Sequence, residues 1–252
     1  MSGSPVRPRL LVLPDADGVA RAAAGEIARV LASAVGARGV ADWATTGGSA
    51  APGIYRALGE PPLRDAVDWP RIRTWWGDDR FVPPDHPLSN VLPIAALGLP
   101  PETLHPIPSG EAIARGEGPA WAAERYAREL RAFVPPGSDG IPVLDLVILG
   151  VGPDGHVLSV FPGSAAWDDP RLCVPVPAPS HVEPHVERVT MHPRILAAAR
   201  CVLVVSSGAA KAAVLARAWA GEDARELPVR ATFLPSATWI LDEAAAAELP
   251  RE

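Results

Sequence analysis

The sequence predicts an α/β fold in which a mostly parallel sheet is covered by helices on both faces. Short apolar runs alternate along the chain with segments whose apolar residues recur at helical spacing, and this alternation is typical of parallel sheets. The 252 residues suffice for a sizeable core, and 48% hydrophobic with 21% charged residues indicates a folded globular chain. Ligands of such sheets bind beyond the carboxyl ends of the strands, so we expect functional groups directly after the strands.

Each short apolar run is predicted as a strand, and each segment with helical spacing as a helix. The predicted strands are Arg9–Leu13, Val40–Thr45, Arg71–Gly77, Val143–Leu149, Cys201–Ser206 and Thr238–Leu241. The predicted helices are Val19–Val35, Ala50–Leu58, Asn90–Leu97, Pro119–Phe133, Ala209–Ala220 and Glu243–Leu249. In the first helix, Ile27, Leu31 and Ala34 share one face, and Asp17 is the candidate N-cap.

Residues 171–191 interrupt this alternation with closely spaced prolines. Two short strands are predicted there, around Val174 and Val189. We interpret the segment as a small β-rich insertion or subdomain within a single α/β domain that spans residues 1–252.

Composition excludes several classes of function. The formal net charge of −6, without a basic stripe, argues against nucleic-acid binding. An anionic small molecule remains compatible, but Lys211 is the one lysine in the sequence, so its binding cluster must consist mostly of arginine. Cys173 and Cys201 match neither a disulfide framework nor a zinc pattern and are interpreted as buried apolar residues. The apolar run Leu10–Leu13 is too short for a signal peptide or a membrane span, which predicts a cytoplasmic protein.

The first candidate motif is Thr45–Ser49, between a predicted strand and a predicted helix. Gly47 and Gly48 let backbone N–H groups approach an anion, and the following helix N-terminus favours negative charge. The alternative is an ordinary strand-to-helix turn.

The second motif is Asp78–Arg80, directly after a strand and followed by Ser89 and Asn90. Two adjacent carboxylates can form a paired surface turn. They can also hold the planar guanidinium of Arg80 in place for a phosphate or carboxylate.

The third motif, Leu149–His156, matches the glycine pattern of dinucleotide-binding loops. Pro153 and Asp154 favour a turn rather than a direct start of a helix, so we reject that interpretation. The glycines instead form a tight loop that presents His156. Histidine titrates near pH ~6.5 and is the usual general base at neutral pH, although a lone histidine can also be structural.

The fourth motif, Ser206–Lys211, again joins a strand to a helix through a glycine. A cation in the first helical turn opposes the helix dipole by about 0.5 kcal/mol, which a bound anion would offset. The alternative is a solvated surface lysine.

His181 and His185 have the i, i+4 spacing of helical metal ligands, but Pro184 disfavours the helix, and no metal site is predicted.

Together these motifs resemble the 6-phosphogluconolactonase family and, more broadly, the superfamily that includes glucosamine-6-phosphate deaminase. The resemblance spans nearly the whole chain in order, and its most specific part runs from Leu149 to Gly163. It implies a Rossmann-like three-layer α/β sandwich with a mostly parallel sheet and a small β insertion. It also implies hydrolysis of 6-phospho-D-glucono-1,5-lactone in the pentose phosphate pathway, with no cofactor and no metal.

The resemblance also implies roles for individual residues. The catalytic residues are His156, Asp154 and Arg80. The residues that bind substrate or phosphate are Gly47, Gly48, Ser49, Asp78, Ser89, Asn90, Gly152, Arg188 and Lys211. Asp154 either orients His156 or only shapes the loop, and the sequence leaves both open.

The chain departs from the family pattern at several positions. Asp79 replaces a usual Glu, and Val157 with Leu158 replaces a usual Thr-Ala pair. Leu196 stands where Asn is common, and Arg230 lies where small residues are usual. These departures leave the proposed base and the phosphate ligands in place.

The residues fit lactone hydrolysis because a lactone is an activated ester, for which one general base and good positioning suffice. One alternative is an amino-sugar-phosphate deaminase or isomerase, but Ser159–Gly163 lacks the carboxylate that this family carries there. Another is a non-catalytic sugar-phosphate sensor, against which the retained His156 argues. The expected partner is a small phosphorylated sugar lactone, with no nucleic acid and no membrane, and the sequence leaves monomer and homodimer open.

Overall fold

The computed structural model describes residues 6–221 and 223–250. The strands are β1 (Arg9–Leu13), β2 (Ala41–Thr45), β3 (Ile72–Trp76), β4 (Asp78–Arg80), β5 (Leu104–His105), β6 (Leu146–Leu149), β7 (Cys173–Val176), β8 (Arg188–Met191), β9 (Val202–Ser206) and β10 (Ala237–Asp242). The helices are α1 (Ala16–Arg38), α2 (Ala51–Leu58), α3 (Ser109–Ala114), α4 (Pro119–Phe133), α5 (Arg194–Ala198) and α6 (Ala212–Ala220). Short 3₁₀ turns include Leu92–Leu97 and Ala209–Lys211.

Within the described residues, seven strands form one sheet in the order β1-β10-β9-β6-β2-β3-β5, and neighbouring strands are parallel. Strands β2, β6 and β9 are buried at every position, so both faces of the sheet are covered there. The predicted α/β class with a mostly parallel sheet is confirmed. The parallel order also brings the carboxyl ends of the strands to one edge.

Large aromatic side chains fill the core beside the sheet, and their polar atoms are satisfied internally. Trp43, Trp75 and Trp239 are fully buried, and each indole N–H donates to a buried oxygen at 2.8–2.9 Å. A buried indole needs such an acceptor, because an unsatisfied N–H costs roughly 1–3 kcal/mol. The indole N–H of Trp76 likewise donates to the backbone carbonyl of Asn90 at 2.9 Å. This hydrogen bond fixes the loop of Asn90 near the sheet edge.

A second, antiparallel sheet of three strands has the order β4-β8-β7 among the described residues. Strands β7 and β8 are the two short strands predicted around Val174 and Val189. The sequence predicts no strand at β4, for which a surface turn and a holder of Arg80 were the two alternatives. Strand β4 forms because Asp78, Asp79 and Arg80 pair with Thr190, Val189 and Arg188 of β8. We propose that both sheets belong to one domain, supported by Gly77, which alone separates β3 from β4 and accepts a 2.7 Å hydrogen bond from Met191 N–H.

Three local predictions were wrong. The N-cap of α1 is Asp15, whose carboxylate accepts from Gly18 N–H at 2.7 Å, and Asp17 lies in the first turn. The predicted helix Asn90–Leu97 is instead a 3₁₀ turn that begins at Leu92, and the backbone N–H of Asn90 donates to Asp79.

The predicted helix Glu243–Leu249 consists of turns only. Glu243 N–H donates to the carbonyl of Leu13, and the carboxylate of Asp242 accepts from Ala245 N–H at 2.7 Å. A helix of this length has a costly nucleus, and Pro250 prevents its extension. The helices α3 and α5 and the strand β5 were not predicted. No helix in the described ranges combines the length and apolar character needed to cross a membrane.

Candidate active site

A cleft of about 590 Å³ lies at the carboxyl edge of the large sheet. Its walls come from the loops after β2, β6 and β9, the end of β10, the first turn of α1 and the second sheet. The sequence-predicted residues that line it are Gly47, Gly48, Ser49, Asp78, Arg80, Asn90, Gly152, His156, Arg188 and Lys211. Ser89 and Asp154 lie behind this lining, where each contacts a neighbour described below.

The loop Thr45–Ser49 forms one wall, and glycine is required at its centre. A Cβ atom on Gly47 would lie 1.9 Å from Oδ1 of Asn90, so only glycine permits this contact between the two loops. Tyr55 is fully buried on α2 and donates to the carbonyl of Thr46 at 2.7 Å, which anchors the loop from below. The N-cap of α2, Ala50, makes no side-chain hydrogen bond to the first helical turn in the described structure. These first-turn amides are suited to an anion.

Asp79 organises the wall formed by β4 and does not itself line the cleft. Its carboxylate accepts from Ser89 Oγ at 2.8 Å and from the backbone N–H groups of Asn90 and Arg80 at 2.7 and 2.8 Å. Burial raises the pKa of Asp79 to about 6, although these hydrogen bonds act in the opposite direction. Ser89, predicted as a substrate ligand, therefore has its hydroxyl committed to Asp79.

Asp78 faces the cleft and is held from two sides. Its carboxylate accepts a 2.5 Å hydrogen bond from Ser159 Oγ, and its carbonyl accepts from Asn90 Nδ2 at 3.0 Å. A carboxylate fixed in this way is suited to accept hydrogen bonds from sugar hydroxyls.

Two arginines stand opposite each other in the β4–β8 ladder. Directly paired residues project on the same face, and both Arg80 and Arg188 line the cleft. Each binds a carbonyl through one terminal nitrogen, Arg80 that of Leu88 at 2.7 Å and Arg188 that of Pro184 at 3.1 Å. Within the described residues the buried Nε atoms of both have no hydrogen-bond partner.

Arg188 is only 2% exposed and lies with its guanidinium carbon 5.3 Å from the centre of the Phe161 ring. Burial lowers the pKa of Arg188; the charge of Arg80 acts in the same direction, and that of Asp78 opposes it. Like charges opposite each other destabilise a sheet, so a bound anion would relieve this repulsion.

His156 lies at the tip of a tight glycine loop after β6. Gly152 N–H donates to the carbonyl of His156 at 2.9 Å, and Gly155 adopts a left-handed φ of 88°. A Cβ on Gly152 would lie 2.0 Å from Nδ1 of the His156 ring, so the imidazole packs directly on the backbone there. The glycine pattern therefore shapes the loop around a histidine, as the sequence predicted, and does not open a helix.

Asp154 contacts His156 at two atoms. Its Oδ1 is 2.5 Å from the ring Nδ1 and accepts the backbone N–H at 3.1 Å. Burial raises the pKa of Asp154, but the hydrogen bonds and charge of His156, with a further bond from His181, outweigh burial and hold it well below its usual range. An ionised carboxylate only accepts hydrogen bonds, so Nδ1 of His156 carries the proton. In the neutral ring the lone pair is then on Nε2.

His181 is a contact that the sequence analysis missed. Its Nε2 lies 2.9 Å from Oδ2 of Asp154, from a position 27 residues further along the chain. The i, i+4 spacing of His181 and His185 is typical of helical metal ligands. In the structure, however, Nδ1 of His185 lies 2.7 Å from the carbonyl oxygen of Pro179. No local pattern in a proline-rich segment predicts such a long-range contact.

Lys211 lines the cleft at the N-cap of α6, just outside the predicted first turn. Burial lowers the pKa of Lys211, and the charge of Asp154 partly opposes this. The preceding Gly208, with φ 93°, donates its N–H to both carboxylate oxygens of Asp242 at 2.9 and 3.0 Å, which fixes the loop. Ser206, the first residue of the fourth motif, has no role in the sequence prediction, yet it lines the cleft with a buried hydroxyl that has no partner among the described residues.

Within residues 6–221 and 223–250, no group of three or more His, Cys, Asp or Glu side chains is arranged to hold a metal ion.

Comparison with known proteins shows which proteins the chain is similar to. The family model of glucosamine-6-phosphate isomerases and 6-phosphogluconolactonases matches residues 14–240. The chain is 34% identical to a 6-phosphogluconolactonase of Streptomyces coelicolor, over 97% of this chain and 95% of the relative, and 33% identical to one of Mycobacterium leprae, over 95% and 97%. The solved structure of 6-phosphogluconolactonase from Trypanosoma brucei superposes with a TM-score of 0.82 at 26% identity, covering 97% of this chain and 100% of that one.

The raised pKa of Asp79 predicts a specific pH dependence of stability. Because the folded value, about 6, exceeds the unfolded value of about 4, the folded state holds more protons between these pH values. The contribution of Asp79 to the free energy of unfolding is full below about pH 4 and is lost as the pH rises through 6. In Asp79→Asn the side-chain amide can still hydrogen-bond to Ser89, Asn90 and Arg80, but it does not change its protonation with pH. Denaturant titrations should show the wild type losing on the order of 2–3 kcal/mol relative to this variant between about pH 4 and 7; parallel pH curves would contradict this assignment.

The contact between Gly152 and the His156 ring predicts that the loop tolerates no side chain at that position. Gly152→Ala should lower the free energy of unfolding by roughly 2 kcal/mol or more, because ring or backbone must move. Gly150→Ala is the matched control in the same loop, since a Cβ there meets nothing within 4 Å, and its effect should stay within about 1 kcal/mol. Equal values for the two variants, measured by chemical denaturation, would mean that the loop relaxes freely.

Proposed function

The chain belongs to the glucosamine-6-phosphate isomerase/6-phosphogluconolactonase family, and we propose that it hydrolyses 6-phospho-D-glucono-1,5-lactone to 6-phospho-D-gluconate with His156 activating the attacking water. Lactone hydrolysis is supported by relatives named 6-phosphogluconolactonase that align over nearly their whole length. The observation that carries the role of His156 is its bond to Asp154, which commits Nδ1 and leaves the lone pair on Nε2. We place the reaction in the pentose phosphate pathway.

In the proposed reaction, Nε2 of His156 takes a proton from water as the water oxygen attacks the lactone carbonyl carbon. The tetrahedral intermediate then breaks its bond to the ring oxygen, and the imidazolium returns the proton to that oxygen. Asp154 stabilises the imidazolium in between through the 2.5 Å hydrogen bond. A lactone is already activated, so a positioned base of this kind, worth roughly 10²–10⁴-fold in rate, is sufficient.

The cations of the cleft serve binding and charge stabilisation. We assign the phosphate to Arg80, Arg188 and Lys211 together with the backbone amides of Gly47, Gly48 and Ser49. Arg188 is a buried and Arg80 a half-buried positive charge in a protein of net charge −6, and an anion offsets their repulsion. Arg80 is also assigned to the negative charge that develops on the carbonyl oxygen.

Asp78 and Asn90 are assigned to the sugar hydroxyls. Both line the cleft, and the hydrogen bond between them keeps them in a fixed relation. Deaminases of the superfamily carry a carboxylate in the segment that corresponds to Ser159–Gly163. In this chain the segment has no carboxylate, and its Ser159 donates a hydrogen bond to Asp78, which faces the cleft. The missing carboxylate favours lactone hydrolysis over the amino-sugar-phosphate deaminase or isomerase reaction.

Replacing the base tests the mechanism directly. His156→Ala should lower kcat by about 10²–10⁴-fold, because the proton of the attacking water loses its acceptor. Acid release from freshly generated 6-phosphogluconolactone is measured and corrected for spontaneous hydrolysis. Thermal denaturation checks that the variant is folded. A folded variant with near-wild-type kcat would remove His156 from the mechanism.

Phosphate recognition is tested with two substrates. Lys211→Ala should raise KM for the phosphorylated lactone about 10- to 150-fold, the effect of losing one charge-assisted contact of ~1.5–3 kcal/mol. The same change should barely alter kcat/KM for gluconolactone without phosphate, which should be a poor substrate of the wild type. Lys211→Arg keeps the charge and should recover part of the loss. Equal losses on both lactones would assign Lys211 a structural role.

A further inference from the structure

Asp154 bridges two imidazoles in the wall of the cleft. Its Oδ1 is 2.5 Å from Nδ1 of His156, and its Oδ2 is 2.9 Å from Nε2 of His181. We propose that His181 is a positioning residue for the reaction, which holds the Asp154 carboxylate in the plane that aligns the base His156. This inference rests on the proposed function of His156.

The protonation pattern of the cluster follows from the carboxylate. An ionised Asp154 can only accept hydrogen bonds, so Nε2 of His181 donates to it, as Nδ1 of His156 does. Partners of this kind, one step removed from the reacting atoms, fix the tautomer and the orientation of a functional histidine. Without His181, the hydrogen bonds that Asp154 keeps within the described residues all go to His156, two residues along the same loop. A carboxylate held only by its own loop moves whenever the loop moves, so it cannot fix the orientation of His156.

Packing around Phe161 supports the same arrangement. The Phe161 ring contacts both imidazoles, with centroid distances of 4.7 Å to His156 and 5.6 Å to His181. Its ring also lies under the guanidinium of Arg188. Both histidines thus pack against one ring, and Asp154 is a polar contact that they share.

The segment that carries His181 belongs to the cleft but not to the loop of His156. Its neighbours Val182 and Glu183 line the cleft, and Arg188 binds the carbonyl of Pro184 at 3.1 Å. The His181–Asp154 bond thus ties the β6 loop to the segment before β8. The position of the base then depends on a second, independently anchored element.

The test compares two histidines of the same segment. His181→Phe keeps a ring against Phe161 and removes the donor, so kcat should fall about 10-fold while KM changes less than about threefold. His181→Gln places an amide N–H where Nε2 lies and should restore kcat to within about threefold of wild type. His185→Phe is the matched control, because the two side chains are 51% and 49% exposed and His185 does not contact Asp154 in the described structure. Its kcat should stay near that of the wild type.

A double-mutant cycle locates the effect. In an Asp154→Asn background, His181→Phe should change kcat less than about twofold, because the carboxylate that it orients is gone. An unchanged kcat in His181→Phe, an equal loss in His185→Phe, no recovery in His181→Gln, or an undiminished loss in the Asp154→Asn background would each overturn the inference. If His156→Ala is inactive while His181→Phe is normal, only this inference fails. If His156→Ala retains its kcat, the proposed mechanism and this inference fail together.

Discussion

The parallel alignment of the large sheet is the constraint on which the site depends. In the described part of the chain every strand pairing of this sheet is parallel, so chain segments far apart in sequence end at one edge. The loops after β2, β6 and β9 bring glycine turns, a histidine and a lysine to that edge. None of these loops could form the cleft alone. The second sheet closes the remaining side and contributes both arginines.

Three cations of a protein whose overall charge is negative line the cleft, namely Arg80, Arg188 and Lys211, and they stand there beside the carboxylates of Asp17, Asp78, Glu183 and Asp242. Arg188 is nearly fully buried, and burial lowers the pKa of both Arg188 and Lys211. The carboxylates Asp78 and Asp154 face these cations without neutralising them through a direct ion pair in the described structure. The cations are thus held close together at a cost that an anionic ligand reduces. The pair of arginines is therefore the part of the cleft that favours an anionic group.

The sequence predicted correctly those loops and helices whose structure is determined by neighbouring residues in the chain. The loop of His156 is specified by its own glycines, and Pro119–Phe133 is a helix with the predicted bounds, since Gly118 and Pro119 mark its start. Strand β4 was missed because its pairing partner is more than a hundred residues away. His181 was missed for the same reason: its hydrogen bond to Asp154 is set by tertiary structure, and no spacing rule describes it. The incorrect C-terminal helix shows tertiary contacts overriding an alanine-rich sequence.

The contact of Gly47 with Asn90 limits which substitutions this chain can accept. The two residues sit on separate loops, yet the space of a single methyl group on one is occupied by the amide of the other. A side chain at position 47 is therefore compatible with the fold only after position 90 has become smaller, whereas a smaller residue at 90 first leaves Asp78 without its amide partner. Either order passes through an impaired intermediate. The two positions of this chain therefore cannot be substituted independently of each other.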